Sequence, residues 1–346
     1  MSSQRHRLYS WIGTPVVGVA GAWLALLANW PLPWITGSLV SITFVRCAGW
    51  KTSEIPYGRF AGQWLIATSI GLHFTRAMLL VIAAHGPLMA VAALSTLGMA
   101  LLGIALMKRM GMDLPTAYFS FMPANFAEMI NLGTHYRADI SKVAASHASR
   151  LALIVLTVPA LAHLGGDPVD ASRPAVILVQ WEWILGLLVC GACMASLWRR
   201  IGLPNAWMFG PMLICAILTA TFEISTRMPY QLSAFGQLMI GCALGCHFDR
   251  SFFKRAPLYL IQVACYCMTM IGLTFLCAYL LSILFEFPFL TLALGMMPGS
   301  TTEMYLTAEA LKLDAGLVTA MQIIRLVIIM VLAESLFKRW SLKAKT

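Results

Sequence analysis

The sequence predicts an all-α polytopic membrane protein, built as two inverted repeats of about five transmembrane helices. Each repeat carries one Pro-broken segment, re-entrant or discontinuous. Three observations predict this class. Of 346 residues, 60% are hydrophobic and 11% charged, against about 45–50% and about 25% in soluble domains. Apolar stretches long enough to cross a bilayer recur along the whole chain. A residue pattern in the first half returns in the second at an offset of 174 or 175.

The composition excludes a disordered chain and a collagen-like fibre, and the longest polar stretch, 163–173, is only a loop. The net charge of +10 is read as orientation signal in short loops. A nucleic-acid partner is not expected, because no basic run is interleaved with aromatics. The expected partners are the lipid bilayer and a small solute, with H⁺ or Na⁺ as coupling ion. A homo-oligomer stays open.

In chain order, Met1–Asn29 joins a basic start (Arg5, Arg7) to an apolar run. With no small-x-small cleavage site, it reads as an uncleaved first helix rather than a signal peptide. Further spans are read at 33–49, 60–75, 82–107 and 139–162, then 179–198, 203–222, 231–248, 257–283 and 315–337. Two semi-polar segments, 115–133 and 289–307, are broken by Pro. The two membrane repeats are 11–165 and 179–340. Nearly all nine cysteines lie in apolar runs, which argues against a disulfide framework. They read as small core residues, with no metal site and no cofactor.

The repeat is specific. From Gly62 to Arg76, seven of fifteen positions recur at offset 174: Gly62, Gln63, Ile66, Gly71, His73, Phe74 and Arg76 match Gly236, Gln237, Ile240, Gly245, His247, Phe248 and Arg250. At offset 175, Met122, Pro123, Glu128 and Met129 match Met297, Pro298, Glu303 and Met304, and Asp139, Val143 and Arg150 match Asp314, Val318 and Arg325. If each broken segment crosses the bilayer, the halves are parallel and the loop Lys+Arg divide 13 to 9. If each is re-entrant, the second half is inverted and the division becomes 18 to 4. Positive-inside bias selects the inverted arrangement, with both termini cytoplasmic. Inverted repeats with broken helices are a recurrent secondary-transporter plan.

The broken segments carry the polar chemistry. Asn125 and Ser300 stand three residues before Glu128 and Glu303, the spacing of a capping box. A half-helix is therefore expected to start at each, with Thr301 and Thr302 in the second start. Exposed N–H groups at such a start attract an anion, and an intramembrane carboxylate can carry a proton or cation. Arg150 and Arg325 lie among apolar residues of the following helices, where each must meet a carboxylate, a cap carbonyl or an anionic ligand. An Arg–Glu staple is one expectation and a counter-charge for an anionic solute the other. Asn125, Glu128, Arg150, Ser300, Thr301, Thr302, Glu303 and Arg325 are the candidate site. No residue is expected to be catalytic. His147 and Gln322 share the face of the arginines one turn earlier.

The run Pro298-Gly299-Ser300-Thr301-Thr302-Glu303-Met304, followed by Ala308, Asp314, Val318, Gln322 and Arg325, resembles the AbrB family of bacterial inner-membrane proteins. The resemblance covers about 11–340. It implies a tandem membrane duplication in the bacterial inner membrane. The first copy departs from the family pattern, with Ala124-Asn125-Phe126 in place of the glycine-rich turn and His147 in place of Gln. Members of that family carry the labels regulator of gene expression and putative ammonia monooxygenase. The residues support neither, having no DNA-binding module and no His-rich cluster for copper or iron. The broken-helix pattern is similar to that of bile-acid/sodium symporters and cation/proton antiporters, an analogy of fold that assigns no substrate. The leading expectation is a secondary transporter of a small anionic solute coupled to an ion gradient. The alternatives are a membrane-embedded regulator and, behind it, a membrane monooxygenase.

Overall fold

The computed structural model describes residues 2–50, 52–124, 126–165, 179–255 and 257–343. Among them the chain is helical, without strands. The first eight helices are α1 (Ser2–Leu27), α2 (Pro33–Cys47), α3 (Gly58–Gly71), α4 (Arg76–Ala84), α5 (Gly86–Arg109), α6 (Leu114–Phe121), α7 (Phe126–His135) and α8 (Ile140–Gly165). The next eight are α9 (Trp181–Arg200), α10 (Ala206–Phe222), α11 (Tyr230–Gly245), α12 (Arg250–Arg255), α13 (Pro257–Phe285), α14 (Phe289–Met296), α15 (Thr301–Ala310) and α16 (Ala315–Lys343). Long elements answer long ones and short ones answer short ones, in order.

The protein is an all-α polytopic membrane protein. Among the described residues, five helices are long and apolar enough to cross a bilayer: α5, α8, α9, α13 and α16. Shorter apolar stretches lie in α1 and α10. The span read at 60–75 ends early. α3 stops at Gly71, and the chain turns by 82° into α4. The cause is local: His73 N–H bonds the Ile70 carbonyl, and the Thr75 hydroxyl accepts from Met78 N–H at 3.2 Å, capping a new helix. At the equivalent place Asp249 accepts from Phe252 N–H at 2.7 Å and caps α12.

Two compact units are present, and each draws on both halves of the sequence. The first comprises Met1–Val81, Pro159–Arg255 and Tyr305–Gly316. In it α1 packs on α2, α9 on α10, α2 on α11 and α3 on both α10 and α11. The crossings explain the repeated glycines. A Cβ on Gly62 would sit 2.7 Å from the Gly236 carbonyl oxygen, so α3 and α11 meet at equivalent residues. A Cβ on Gly71 would sit 3.0 Å from the Met212 carbonyl, and one on Gly245 would sit 2.9 Å from that of Leu39, the equivalent pair.

The second unit comprises Ile82–Val158, Ala256–Met304 and Leu317–Thr346. Its core joins Leu97 and Ile104 of α5, Tyr118 and Phe119 of α6, Val263 and Tyr266 of α13, and Ile329 and Phe337 of α16. Tyr118 Oη donates to the Ala333 carbonyl at 2.7 Å, which satisfies the one polar atom of a fully buried ring.

Candidate functional site

The second unit contains the break of each Pro-broken segment, at Pro123 and at Pro298. α6 begins at Asp113, whose carboxylate accepts from Thr116 N–H at 3.0 Å. It ends at Phe121 because Met122 precedes Pro123 and cannot hold helical backbone. Met122 adopts φ −62°, ψ 126°. Met297, before Pro298, adopts φ −58°, ψ 129° and ends α14 in the same way. Each break then tightens alike. Ala124 N–H bonds the Met122 carbonyl at 2.9 Å, and Gly299 N–H bonds that of Met297 at 2.8 Å.

Ending a helix inside an apolar unit strands its last carbonyls. The buried arginines answer this. Arg325 Nη1 donates to the carbonyls of Met297 and, at 3.4 Å, Met296, while Nη2 donates to Gly299 at 3.2 Å. Arg150 Nη1 donates to Phe121 at 3.5 Å and Met122 at 3.4 Å, the equivalent carbonyls. Gln322 Nε2 adds bonds to Leu294 at 2.6 Å and Met297 at 3.1 Å. His147 Nε2 bonds Phe119, the equivalent of Leu294, at 2.9 Å. That carbonyl can only accept, so Nε2 carries the proton and Nδ1 accepts from Arg150 Nη2 at 2.9 Å.

The expected Arg–Glu staple is therefore replaced. Among the described residues neither arginine has a carboxylate partner. Backbone carbonyls at the negative ends of α6 and α14 take that place. The two guanidiniums belong to the same unit. Both are at least 95% buried, and the Nε of each makes no hydrogen bond.

The remaining candidates sit at the other side of each break. Asn125 lies outside the described residues. Glu128 is half-buried in the first turn of α7. Ser300 is half-buried, and its carbonyl accepts from Met304 N–H at 3.2 Å, which makes it the residue before α15. Thr301, Thr302 and Glu303 are buried in the first turn of α15. Asp139 caps α8 by accepting from Lys142 N–H at 3.2 Å.

Pro123 and Pro298 line one cleft together with Arg150, Phe121, Ile154, Tyr266 and Thr96. It has room for about one water. Several of its residues escaped the sequence reading, Thr96 and Tyr266 among them. Thr96 donates to the Met296 carbonyl at 3.2 Å, and Tyr266 Oη reaches that of Phe121 at 3.5 Å. They are not repeat equivalents, so the repeat could not find them. Their one signal was a polar atom midway along an otherwise apolar span. Among the described residues no three His, Cys, Asp or Glu are placed to hold a metal.

Residues 34–341 match the family described as transition state regulatory protein AbrB. An uncharacterized protein, YhjN, of Bacillus subtilis (strain 168) is 23% identical over 93% of this chain and 91% of its own length. A putative regulator, AbrB, of Escherichia coli (strain K12) is 25% identical over 85% of this chain and 84% of its own length.

Proposed function

The chain belongs to the AbrB family, and we propose that it is a secondary transporter of a small anionic solute, coupled to H⁺ or Na⁺, in the bacterial inner membrane with both termini cytoplasmic. The observation that carries this reading is the pair of buried arginines. Each holds the carbonyl end of a broken helix, neither meets a carboxylate among the described residues, and the prolines of both breaks share one cleft.

Charge accounting gives the mechanism. Two guanidiniums contribute +2. Two helix C-termini contribute about −0.5 each and two N-termini about +0.5 each. With Glu128 and Glu303 ionised the sum is near zero. Each proton or cation bound at a glutamate leaves about one positive charge uncompensated, which favours one anion in the cleft. Binding of cation and anion is thereby coupled without direct contact between them. The narrow cleft is the closed condition, and solute entry requires the breaks to part. Non-helical backbone at this depth is tolerated where it lines such a cavity.

The 18-to-4 division of basic loop residues supports the orientation. The test is uptake into proteoliposomes of labelled small anions, with and without pH and Na⁺ gradients. Wild-type protein is expected to accumulate one class of anion under one gradient, and Arg325→Ala and Glu303→Gln to lose that accumulation. Equal uptake by both variants would refute the site. Absence of any gradient-driven uptake, with a change in gene expression on deletion, would favour the regulator reading that the name of the Escherichia coli relative carries.

A further inference from the structure

The two repeats do not share the cleft at the breaks evenly. Among the described residues Arg150 lines it, and Arg325, its equivalent, does not. Thr96 and Tyr266 line it as well, and neither has a polar counterpart in the other half. Offsets of 174 and 175 set Met270 and Ile271 against Thr96, and Ala92 and Val91 against Tyr266. Gly103 of α5 leaves space for the Tyr266 ring, which a Cβ there would strike.

The donors on this side are underused. Arg150 is buried, yet its Nε makes no hydrogen bond. Its Nη1 stands 3.5 and 3.4 Å from the Phe121 and Met122 carbonyls, and Tyr266 Oη stands 3.5 Å from that of Phe121. All three exceed the usual donor–acceptor range of about 2.7–3.2 Å. The threonine hydroxyls of the lining are better spent. Thr96 donates to the Ala92 and Met296 carbonyls at 3.0 and 3.2 Å, and Thr274 donates to that of Met270 at 2.7 Å. Spare donor capacity therefore lies with Arg150 and Tyr266.

The rest of the lining decides what those donors take. Met99, Ile154, Cys267 and Met270 present soft, apolar surface, and among the described lining residues Arg150 alone carries charge. A dicarboxylate or a sulfate would bury a second charge or further acceptor oxygens without donors, which is costly. The charge accounting above leaves one positive charge for each cation bound, and a monoanion matches it. A planar carboxylate accepts from two N–H groups of a guanidinium side by side. Unbranched methionines repack around a short carbon chain once the breaks part. We propose that the solute is a monocarboxylate with a short apolar body, its carboxylate held by Arg150 and Tyr266 and its body by Met99, Ile154 and Met270. This rests on the transport reading of the same cleft and adds to it the class of substrate.

The test is equilibrium binding to the full chain in lipid nanodiscs, by titration calorimetry in sodium buffer at about pH 6, where carboxylic acids are ionised. The probes are butyrate, its uncharged analogue butyramide, succinate and sulfate. Butyrate is expected to bind at least about tenfold more tightly than each of the other three, whose charge or hydration the lining leaves unmatched. Tyr266→Phe, which removes only a hydroxyl, should weaken butyrate about three- to tenfold, and Arg150→Lys about tenfold or more. Met270→Ala should move the preference from butyrate toward hexanoate, a change of ranking that a merely structural role would not produce. No saturable butyrate binding to wild type, tighter binding of succinate or sulfate, or wild-type butyrate binding in both Tyr266→Phe and Arg150→Lys would overturn the proposal. Should Arg150→Lys fail to fold, Tyr266→Phe and Met270→Ala decide it. Binding is read without a gradient, so the two readings fail separately. Gradient-driven uptake of succinate or sulfate in place of butyrate would refute the monocarboxylate and keep the transporter. Butyrate binding without gradient-driven uptake of any anion would keep the carboxylate site and remove the transporter.

Discussion

Arg325 grips the Met297 carbonyl, and Arg150 grips that of Met122, the equivalent atom 175 residues earlier. The copies are not equal. Arg325 reaches three carbonyls, one of them beyond the break, while Arg150 reaches two at the long end of the range and spends a donor on His147. Each charged hydrogen bond is worth about 1.5–3 kcal/mol where buried. Arg325→Ala is therefore expected to lower the melting temperature in detergent more than Arg150→Ala. Arg325→Lys should recover only part, since an ammonium cannot span three carbonyls. Equal melting of the two alanine variants would contradict the assignment.

His147 and Gln322 make the same bond from different chemistry, a ring N–H in one half and an amide N–H in the other. His147→Gln is expected to leave stability within about 1 kcal/mol of wild type, because the donor to Phe119 survives. His147→Leu should cost about 1–3 kcal/mol, the penalty of an unmet buried carbonyl. Thermal unfolding of the two variants separates them. Similar losses in both would show that the imidazole Nδ1, and not the donor, is what matters.

The recurring pattern was legible where close approach and helix breaks restrict the residue type. Gly62 and Gly236 meet backbone to backbone, and Pro123 and Pro298 break their helices identically, so each pair left the same letters in both halves. Asp139 was legible as a cap from its place before an apolar run. The partners of the arginines were not legible. Carbonyls belong to every residue, and no sequence pattern marks which of them a guanidinium will find. The division into two units was hidden for a related reason. It depends on contacts between the halves, and the chain leaves the first unit at equivalent points, 81–82 and 255–256, that look like ordinary connectors.

The glycine crossing makes a sharp stability prediction. A methyl group on Gly62 meets the Gly236 carbonyl, backbone that cannot step aside, whereas one on Gly98 of α5 meets nothing within 4 Å. Gly62→Ala is expected to destabilise by about 1–3 kcal/mol. Gly98→Ala should be neutral or stabilising by up to about 1 kcal/mol, the helix-propensity difference. Reversal of that order in detergent melts would remove close backbone approach as the reason for the repeated motif.

Asp249 supplies the pH prediction outside the spanning segments. Hydrogen bonds from Ser251 and from the Phe252 amide, aided by Arg46, hold its carboxyl below the usual range. A depressed folded value means that the stabilisation is present above the unfolded value of about 3.9 and fades as pH falls through the folded one. Asp249→Ala should cost about 1 kcal/mol near neutral pH as a lost cap on α12. The difference from wild type should vanish in strong acid. A constant difference at all pH values would show that the carboxylate's charge plays no part.

Arg137 and Lys312 provide the decision between inverted and parallel halves. They are equivalent residues in the turns after α7 and α15, and both hold left-handed backbone, φ 58° and 56°. If the broken segments are re-entrant, Arg137 faces the cytoplasm with most other basic residues and Lys312 faces outside. If the segments cross, both face outside. Arg137→Cys and Lys312→Cys, treated with a membrane-impermeant maleimide and scored above the background of the nine native thiols, distinguish these directly. Lys312→Cys is expected to label in intact cells and Arg137→Cys only after lysis. Labelling of both in intact cells would make the halves parallel, and positive-inside bias would then have to be met by a 13-to-9 division.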